Sequence, residues 1–459
     1  MNCVTTNKNH LLLSFIIIIG FYFDNSVNCD MITIMKTFAI FLLCGTMLLS
    51  GCGIFATTPI QTEPPTPLVD PLEKLHTDID AVLEEVLFTN ASIGIKVVAV
   101  ETGEVIYEKN SHKLHHLAST TKLFTAATAL AKLGSDFQFE TTLYADTIVK
   151  GEVIGNIYLT GRADPVLQPQ DVVKLGDALL QSGVKSIQGQ IVVDETYLDA
   201  VWEGPGWMRD DRPLWISALS IREVEPDGNK MSRAFACGHL LKTALIDKGI
   251  HVTGKVVSGT VPSDAHSIAK HLSPPLTDIL RLMNKPSDNW IAELLFKTIG
   301  AEVMGEPGTW KKGREAIAEF LGEIMDEPPA HRFVDGSGLS RYNLLNAELL
   351  TKLLIYMYHN FELMPEFLAS LPIAGVDGTL KNRMQGVSAE KVLRAKTGTL
   401  SGVSALAGYT VTVDDEVLAF GILISHYIGP ARSARSIQDK IGNYLTGFSR
   451  LQGVRKVKE

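Results

Sequence analysis

Cysteine is scarce where it could staple a fold. Only five occur in 459 residues, and four of them, Cys3, Cys29, Cys44 and Cys52, fall within the first 52 positions, leaving Cys237 alone in the remainder. That distribution argues against a disulfide framework or a cysteine-ligated zinc site. The chain also lacks a His-Glu-x-x-His pair, and no metal or other cofactor is expected. Positive charge is in short supply: 42 Lys+Arg face 51 Asp+Glu, a formal net charge of −9. With no basic run to track a phosphate backbone, nucleic acid is not an expected partner. Apolar residues are plentiful at 46%, against 20% charged and 7% aromatic, enough to bury one substantial core and to build two units.

Long hydrophobic runs are missing too. Leu11 to Phe23 and Thr37 to Leu49 are both shorter than the roughly 20 residues a spanning helix needs, and Asp24 and Asp30 stand between them. The second run follows a short basic start at Met35-Lys36 and closes on the small residues of Leu49-Ser50-Gly51-Cys52, the layout of a signal peptide. That tetrapeptide resembles a bacterial lipobox, which implies cleavage before Cys52 and acylation of its thiol as a lipid attachment. Residues 1–51 are thus a signal region whose start is expected at Met31 or Met35. Residues 52–71, with five prolines, read as an extended linker. The alternative is a double membrane anchor.

Beyond the linker, Leu75, Ile79, Val82, Leu83 and Val86 recur at helical spacing. Ser92 to Val100 and Val105 to Tyr107 read as a hairpin, followed by a helix from about Ser119 to Leu133 that Gly134 stops. Residues 145–272 change character: short strand-like runs at Ile154 to Leu159, Ile187 to Val193 and Val252 to Val257 suggest a separate β-rich unit. Helical patterns return at Leu276 to Met283, Ile291 to Ile299 and after Ala347. A closing hairpin, Ser404 to Val413 and Glu416 to Ser425, turns at Asp414-Asp415.

Three short motifs carry chemistry. Ser119-Thr120-Thr121-Lys122 sets a hydroxyl and an amine one helical turn apart. The same spacing recurs at Ser182/Lys185, Ser267/Lys270 and Ser388/Lys391, but only the first opens a long apolar-periodic helix whose N-terminal amides suit an anionic intermediate. Read alone, Ser119 is more simply a helix N-cap. Ser287-Asp288-Asn289 precedes a helical stretch and also has a capping reading. Lys396-Thr397-Gly398-Thr399 lies on a strand, where alternation aims Lys396 and Gly398 to one side and Thr397 and Thr399 to the other. Ser-x-x-Lys, Ser-Asp-Asn and Lys-Thr-Gly in this order are the set found in serine β-lactamases and penicillin-binding proteins.

With their neighbours, Leu117 to Ala127, Met283 to Asn289, Val334 to Ser340 and Arg394 to Gly402, these motifs closely resemble the D-alanyl-D-alanine carboxypeptidase/endopeptidase family, the class C penicillin-binding proteins. The similarity runs from about residue 72 to 445, with Ala163 standing where the family's Gly-Asp-Pro segment has glycine. The resemblance implies an α+β fold: a transpeptidase-like domain from residues 72–144 and 273–459, its antiparallel sheet flanked by helices, with 145–272 as an inserted domain. A second inserted domain, present in other members, is expected to be missing. It further implies a Ser119 nucleophile and Lys122 as its base, made neutral by burial and by the charge of Lys396. Ser287 would relay a proton to the leaving amine, and Asn289 would hydrogen-bond Lys122 or the substrate. Lys396 and Thr397 would bind the terminal carboxylate beside Gly398 and Thr399, with the amides of Ser119 and Thr399 as oxyanion donors. Partners would be peptidoglycan peptides, β-lactams and, through Cys52, a membrane. A β-lactamase or esterase of the same fold, or a non-catalytic wall-binding lipoprotein, are the alternatives.

Overall fold

A computed structural model describes residues 70–84, 90–209, 211, 214–223 and 233–451. The signal region, Cys52 and the linker up to residue 69 lie outside the described residues. Helix α1 (Pro71–Leu83) starts on a proline and is capped by Asp70, whose carboxylate accepts from Leu72 N at 3.0 Å. The hairpin β1 (Ser92–Ala99) and β2 (Val105–Lys109) follows, then a tight 3-10 turn, Ala118–Thr121, and α2 (Lys122–Leu133). Gly134, at φ +87°, ends α2 as its pattern predicts.

A second group of elements comes next: β3 (Glu140–Val149), β4 (Glu152–Gly161), α3 (Pro169–Gln181), β5 (Ser186–Ile187), β6 (Ile191–Asp194), α4 (Arg233–Asp247), β7 (His251–Val252), β8 (Val256–Ser258) and β9 (His266–Leu272). The chain then runs through α5 (Leu276–Asn284), α6 (Asn289–Met304), α7 (Trp310–Ile324), α8 (Ala347–His359) and α9 (Met364–Ser370). It finishes with β10 (Arg394–Leu400), β11 (Val403–Val411), β12 (Val417–Ser425) and α10 (Ala431–Thr446).

The first sheet is antiparallel throughout, in the order β10-β11-β12-β1-β2. The period of two sorts its side chains into two cores. Leu418, Phe420, Ile422 and Ile424 of β12 face α1 and α10, while Ala419 and Leu423 face the layer that contains α2, α6 and α8. Because helices cover both faces, β11 and β12 read as nearly continuous apolar runs rather than an alternation.

The second sheet runs β7-β5-β4-β3-β9, with β6 between β4 and β8. It is mixed: β3 pairs antiparallel with β4 and β9, whereas β4–β5, β4–β6, β5–β7 and β6–β8 are parallel. Its core draws Val172, Leu175 and Leu179 from α3 and Cys237, Leu241 and Leu245 from α4. The boundary expected near 145 falls inside β3, which opens this sheet at Glu140. Part of the expected insert also returns to the first core: Tyr197, Leu198 and Ile216 pack there with α6. These side chains bury against that helix although they are distant from it in sequence.

Candidate active site

The Ser-x-x-Lys segment occupies the 3-10 turn and the first residue of α2, so the α-helix starts three residues later than its pattern predicts. Ser119 does not cap it; Thr121 precedes the first turn and makes no capping hydrogen bond. Lys122 Nζ lies 3.0 Å from Ser119 Oγ, 2.7 Å from Asn289 Oδ1 and 2.7 Å from the Ser337 carbonyl oxygen. The last two atoms can only accept. A neutral lysine has two N–H bonds, and these two acceptors consume both, so its lone pair is left for the Ser119 hydroxyl. The amine is completely buried, which lowers its pKa to about 8, while the carboxylates of Glu293, Asp335 and Asp288 pull the other way.

The lowering at Lys122 is led by burial. Lys396 is itself fully buried and pushed well below the usual lysine range, by burial first and then by Lys122. Its Nζ donates to Ser287 Oγ at 2.8 Å and to its neighbour's carbonyl, Thr397 O, at 2.9 Å.

The Ser-Asp-Asn segment does two jobs. Asp288 is the true cap of α6, accepting from Ile291 N at 2.9 Å, and Arg222 grips the same carboxylate through two bonds of 2.6 and 2.7 Å. The residues on either side, Ser287 and Asn289, turn instead toward the two lysines. Ser287 sits at φ +67°, and Ala118, just before the nucleophile candidate, at φ +47°. Non-glycine residues in this region cost about 1–3 kcal/mol each, so strain is held beside both hydroxyls.

On β10 the expected alternation holds as geometry. Thr397 Oγ1 donates to Thr379 Oγ1 at 2.8 Å, and Thr399 Oγ1 accepts from Arg435 at 3.3 Å. Gly398 serves a close approach of backbone to backbone: a Cβ there would come to 2.5 Å from the Leu117 carbonyl oxygen. The missing side chain lets the strand press against the turn that carries Ser119.

These groups border one cavity of about 330 Å³, lined by Ser119, Ser287, Thr379, Arg383, Thr397, Thr399 and Arg435. A larger open groove of about 900 Å³, between the end of α7 and α8, holds none of the motif residues. Sequence reasoning missed Thr379, Arg383 and Arg435, which no motif marks. Thr379 is delivered by a loop braced on Lys285, whose Nζ reaches Leu371 O and Asp377 at 2.7 and 2.6 Å. Arg383 is held by Asp439 at 2.7 Å. Glu293 was also missed, although Asn289, Glu293 and Lys297 form a polar stripe at i, i+4, i+8 in an otherwise buried helix. The other Ser-x-x-Lys matches have plain structural surroundings: Ser182 Oγ donates to the Ala178 carbonyl, and Lys270 pairs with Glu140 across the second sheet.

Residues 75–220 and 229–446 match the D-Ala-D-Ala carboxypeptidase 3 (S13) family. The chain belongs to that family. It is 33% identical to the D-alanyl-D-alanine carboxypeptidase of an Actinomadura species, over 82% of this chain and 85% of that protein. The identity is 27% to D-alanyl-D-alanine carboxypeptidase DacB of Haemophilus influenzae, over 75% and 88%. The crystal structure of penicillin binding protein 4 (dacB) from Haemophilus influenzae superposes with a TM-score of 0.73 at 26% identity, covering 80% of this chain and 98% of that one. A complex of that protein with a β-lactam matches at a TM-score of 0.67. The S13 family member described here is therefore a serine-type D-Ala-D-Ala carboxypeptidase with the penicillin-binding fold, and its action on wall peptides is extracytoplasmic.

Proposed function

We propose that this carboxypeptidase works through an acyl-enzyme on Ser119, with Lys122 as the base. The observation that carries the assignment is the set of three contacts at Lys122 Nζ, two of them to obligate acceptors. As Ser119 Oγ bonds to the carbonyl carbon of the terminal D-Ala-D-Ala amide, its proton passes to Lys122. The C–N bond then breaks, and the proton taken from Ser119 ends on the departing amine through Ser287, which lies within reach of Lys396. Water hydrolyses the ester in the second half-reaction.

β10 is the edge strand of its sheet, so a substrate backbone laid along it gains strand-like hydrogen bonds. The amides of Ser119 and Thr399 are the oxyanion donors in this reading. Arg383 and Arg435 give the pocket a cationic wall, and the Thr397 hydroxyl and the Lys396 amine behind it add hydrogen-bond donors, a set suited to the carboxylate beside the scissile amide. A cross-linked peptide would react by the same steps with a larger amine as leaving group, which is the endopeptidase activity. Residues 145–272 are read as an inserted unit, and Cys52 as the lipid attachment that tethers the enzyme to a membrane.

The test is labelling with a fluorescent penicillin beside a D-alanine release assay. The parent protein labels and releases D-alanine; Ser119→Ala does neither. Persistent labelling of Ser119→Ala would overturn the choice of nucleophile, and a parent that neither labels nor releases D-alanine would overturn the whole reading. For the anchor, Cys52→Ala moves the protein from the membrane to the soluble fraction; continued attachment points to the double anchor instead.

A further inference from the structure

Two buried carboxylates lie behind Lys122, and neither touches the cavity. Glu293 stands one turn after Asn289 on α6, is fully buried, and accepts from Ser337 N at 2.8 Å, Trp310 Nε1 at 2.7 Å and Gly336 N at 3.4 Å. Asp335, equally buried, accepts through Oδ1 from Gly338 N at 2.9 Å and Asn343 Nδ2 at 2.6 Å. Its Oδ2 accepts from Trp207 Nε1 at 2.9 Å and Ser340 N at 2.6 Å. A loop that needed only to be held in place could be held by neutral acceptors. Two desolvated acids this close to each other are costly, and burial together with Asp335 pushes the Glu293 carboxyl up.

The loop's geometry shows what the charges face. The Ser337–Gly338 peptide group offers its carbonyl to Lys122 Nζ and its N–H to Asp335 Oδ1. One polarisable amide therefore sits between an anion and the amine. Glu293 fixes the preceding peptide N–H, and Thr125 of α2 donates to the Gly336 carbonyl at 2.8 Å, tying the loop to the helix that carries Lys122. Gly338, at φ +82°, has no room for a Cβ, which would run into the Ala118 carbonyl oxygen. The amide is thus pressed against the Ser119 turn.

We propose that Asp335 and Glu293 are positioning residues for the reaction: through the Ser337–Gly338 peptide and their own field they stabilise the ammonium that Lys122 becomes when it takes the Ser119 proton. The inference rests on Lys122 being the base. Without these acids, burial would leave the amine a base too weak to hold the proton during attack, and a general base works best when its pKa lies near the operating pH. The other titratable groups facing Lys122 are Asp288, already paired with Arg222, and the buried Lys396 amine on β10. Glu293 also faces Lys297, which is committed to Asp199 at 2.5 Å.

The experiment measures the first-order rate of acylation by a fluorescent penicillin from pH 5.5 to 10, in the full chain and in Glu293→Gln and Asp335→Asn. Rates are expressed per active site titrated with the same reagent, so a lowered folded yield does not enter them. In the parent the rate rises with pH as Lys122 loses its proton. In both variants that rise moves to lower pH, by about one unit, as expected for removing a nearby opposite charge, and the high-pH plateau falls by about threefold, and at most about tenfold, because the base is weaker. A merely structural role lowers the rate at every pH and leaves the rise where it was; that result, or a shift to higher pH, would overturn the proposal. A parent acylated at a rate that does not rise with pH would instead overturn the assignment of Lys122 as the base.

Discussion

The two sheets of this enzyme are supported differently. The first is sandwiched between helices on both faces, and its edge strand β10 forms a wall of the cavity that Ser119 lines. The second has α3 and α4 packed into its core, and its edge strand β9 leaves every one of its seven residues at least partly exposed. Among the described residues, none that lines this cavity comes from the second sheet or its helices. A site that needs a hydroxyl, two amines and a carboxamide held to fractions of an ångström calls for strands and helices locked from both sides. The second sheet needs only to be stable, and this separates the two regions experimentally.

Leu241→Ala gives the largest effect. Leu241 is fully buried in the core of the second sheet, and removing it should cost about 2–5 kcal/mol of unfolding free energy. The acylation rate per active site should stay at the parent value. Thermal melting beside penicillin labelling checks both halves, and a fall in rate with the fall in stability would erase the contrast between the sheets. Gly398→Ala tests the other side. Its Cβ would meet the Leu117 carbonyl at 2.5 Å, and the turn carrying Ser119 must shift to admit it. Misplacement of this kind is expected to lower acylation about 100-fold, or about 2.7 kcal/mol of activation free energy, beside a stability cost of about 1–3 kcal/mol for the overpacked backbone.

How much of this was readable in the sequence follows the same division. The closing hairpin, α2, α5 and α6 have strong apolar periodicity, and each matches its pattern to within a few residues, because local pattern and tertiary burial agree there. β9 left no clear signal: its burial is only partial, and its pairing with β3 is set over a distance of more than 100 residues. α7 was overlooked because Lys311, Lys312, Glu315 and Glu319 obscure the stripe of Trp310, Ile317, Phe320 and Leu321 that it buries. At the site, the motifs marked the residues whose side chains meet. Arg383, Arg435 and Thr379 escaped notice because each reaches the cavity from a separate element. The Ser337 carbonyl escaped because a backbone acceptor has no residue signature at all.

The smallest effect belongs to His271, on the open edge of the second sheet. Its Nε2 lies 3.3 Å from Asp164 Oδ2 and 3.8 Å from Asp171 Oδ2, and the Asp164 side chain is nearly inaccessible. Contact with Asp164 holds the imidazole pKa above its usual value, against the opposing effect of burial. A histidine raised in the folded state contributes stability that is fully present below its unfolded pKa of about 6.5 and is lost as pH rises through the folded value. His271→Asn should therefore lower the melting temperature at pH 5.5, by an amount equivalent to about 1 kcal/mol or less for a partly exposed pair, and the difference should vanish by pH 9. Acylation per active site should be unchanged at both. If the variant differs equally at the two pH values, His271 matters for its shape and not its charge, and it makes no pH-dependent contribution to the second sheet.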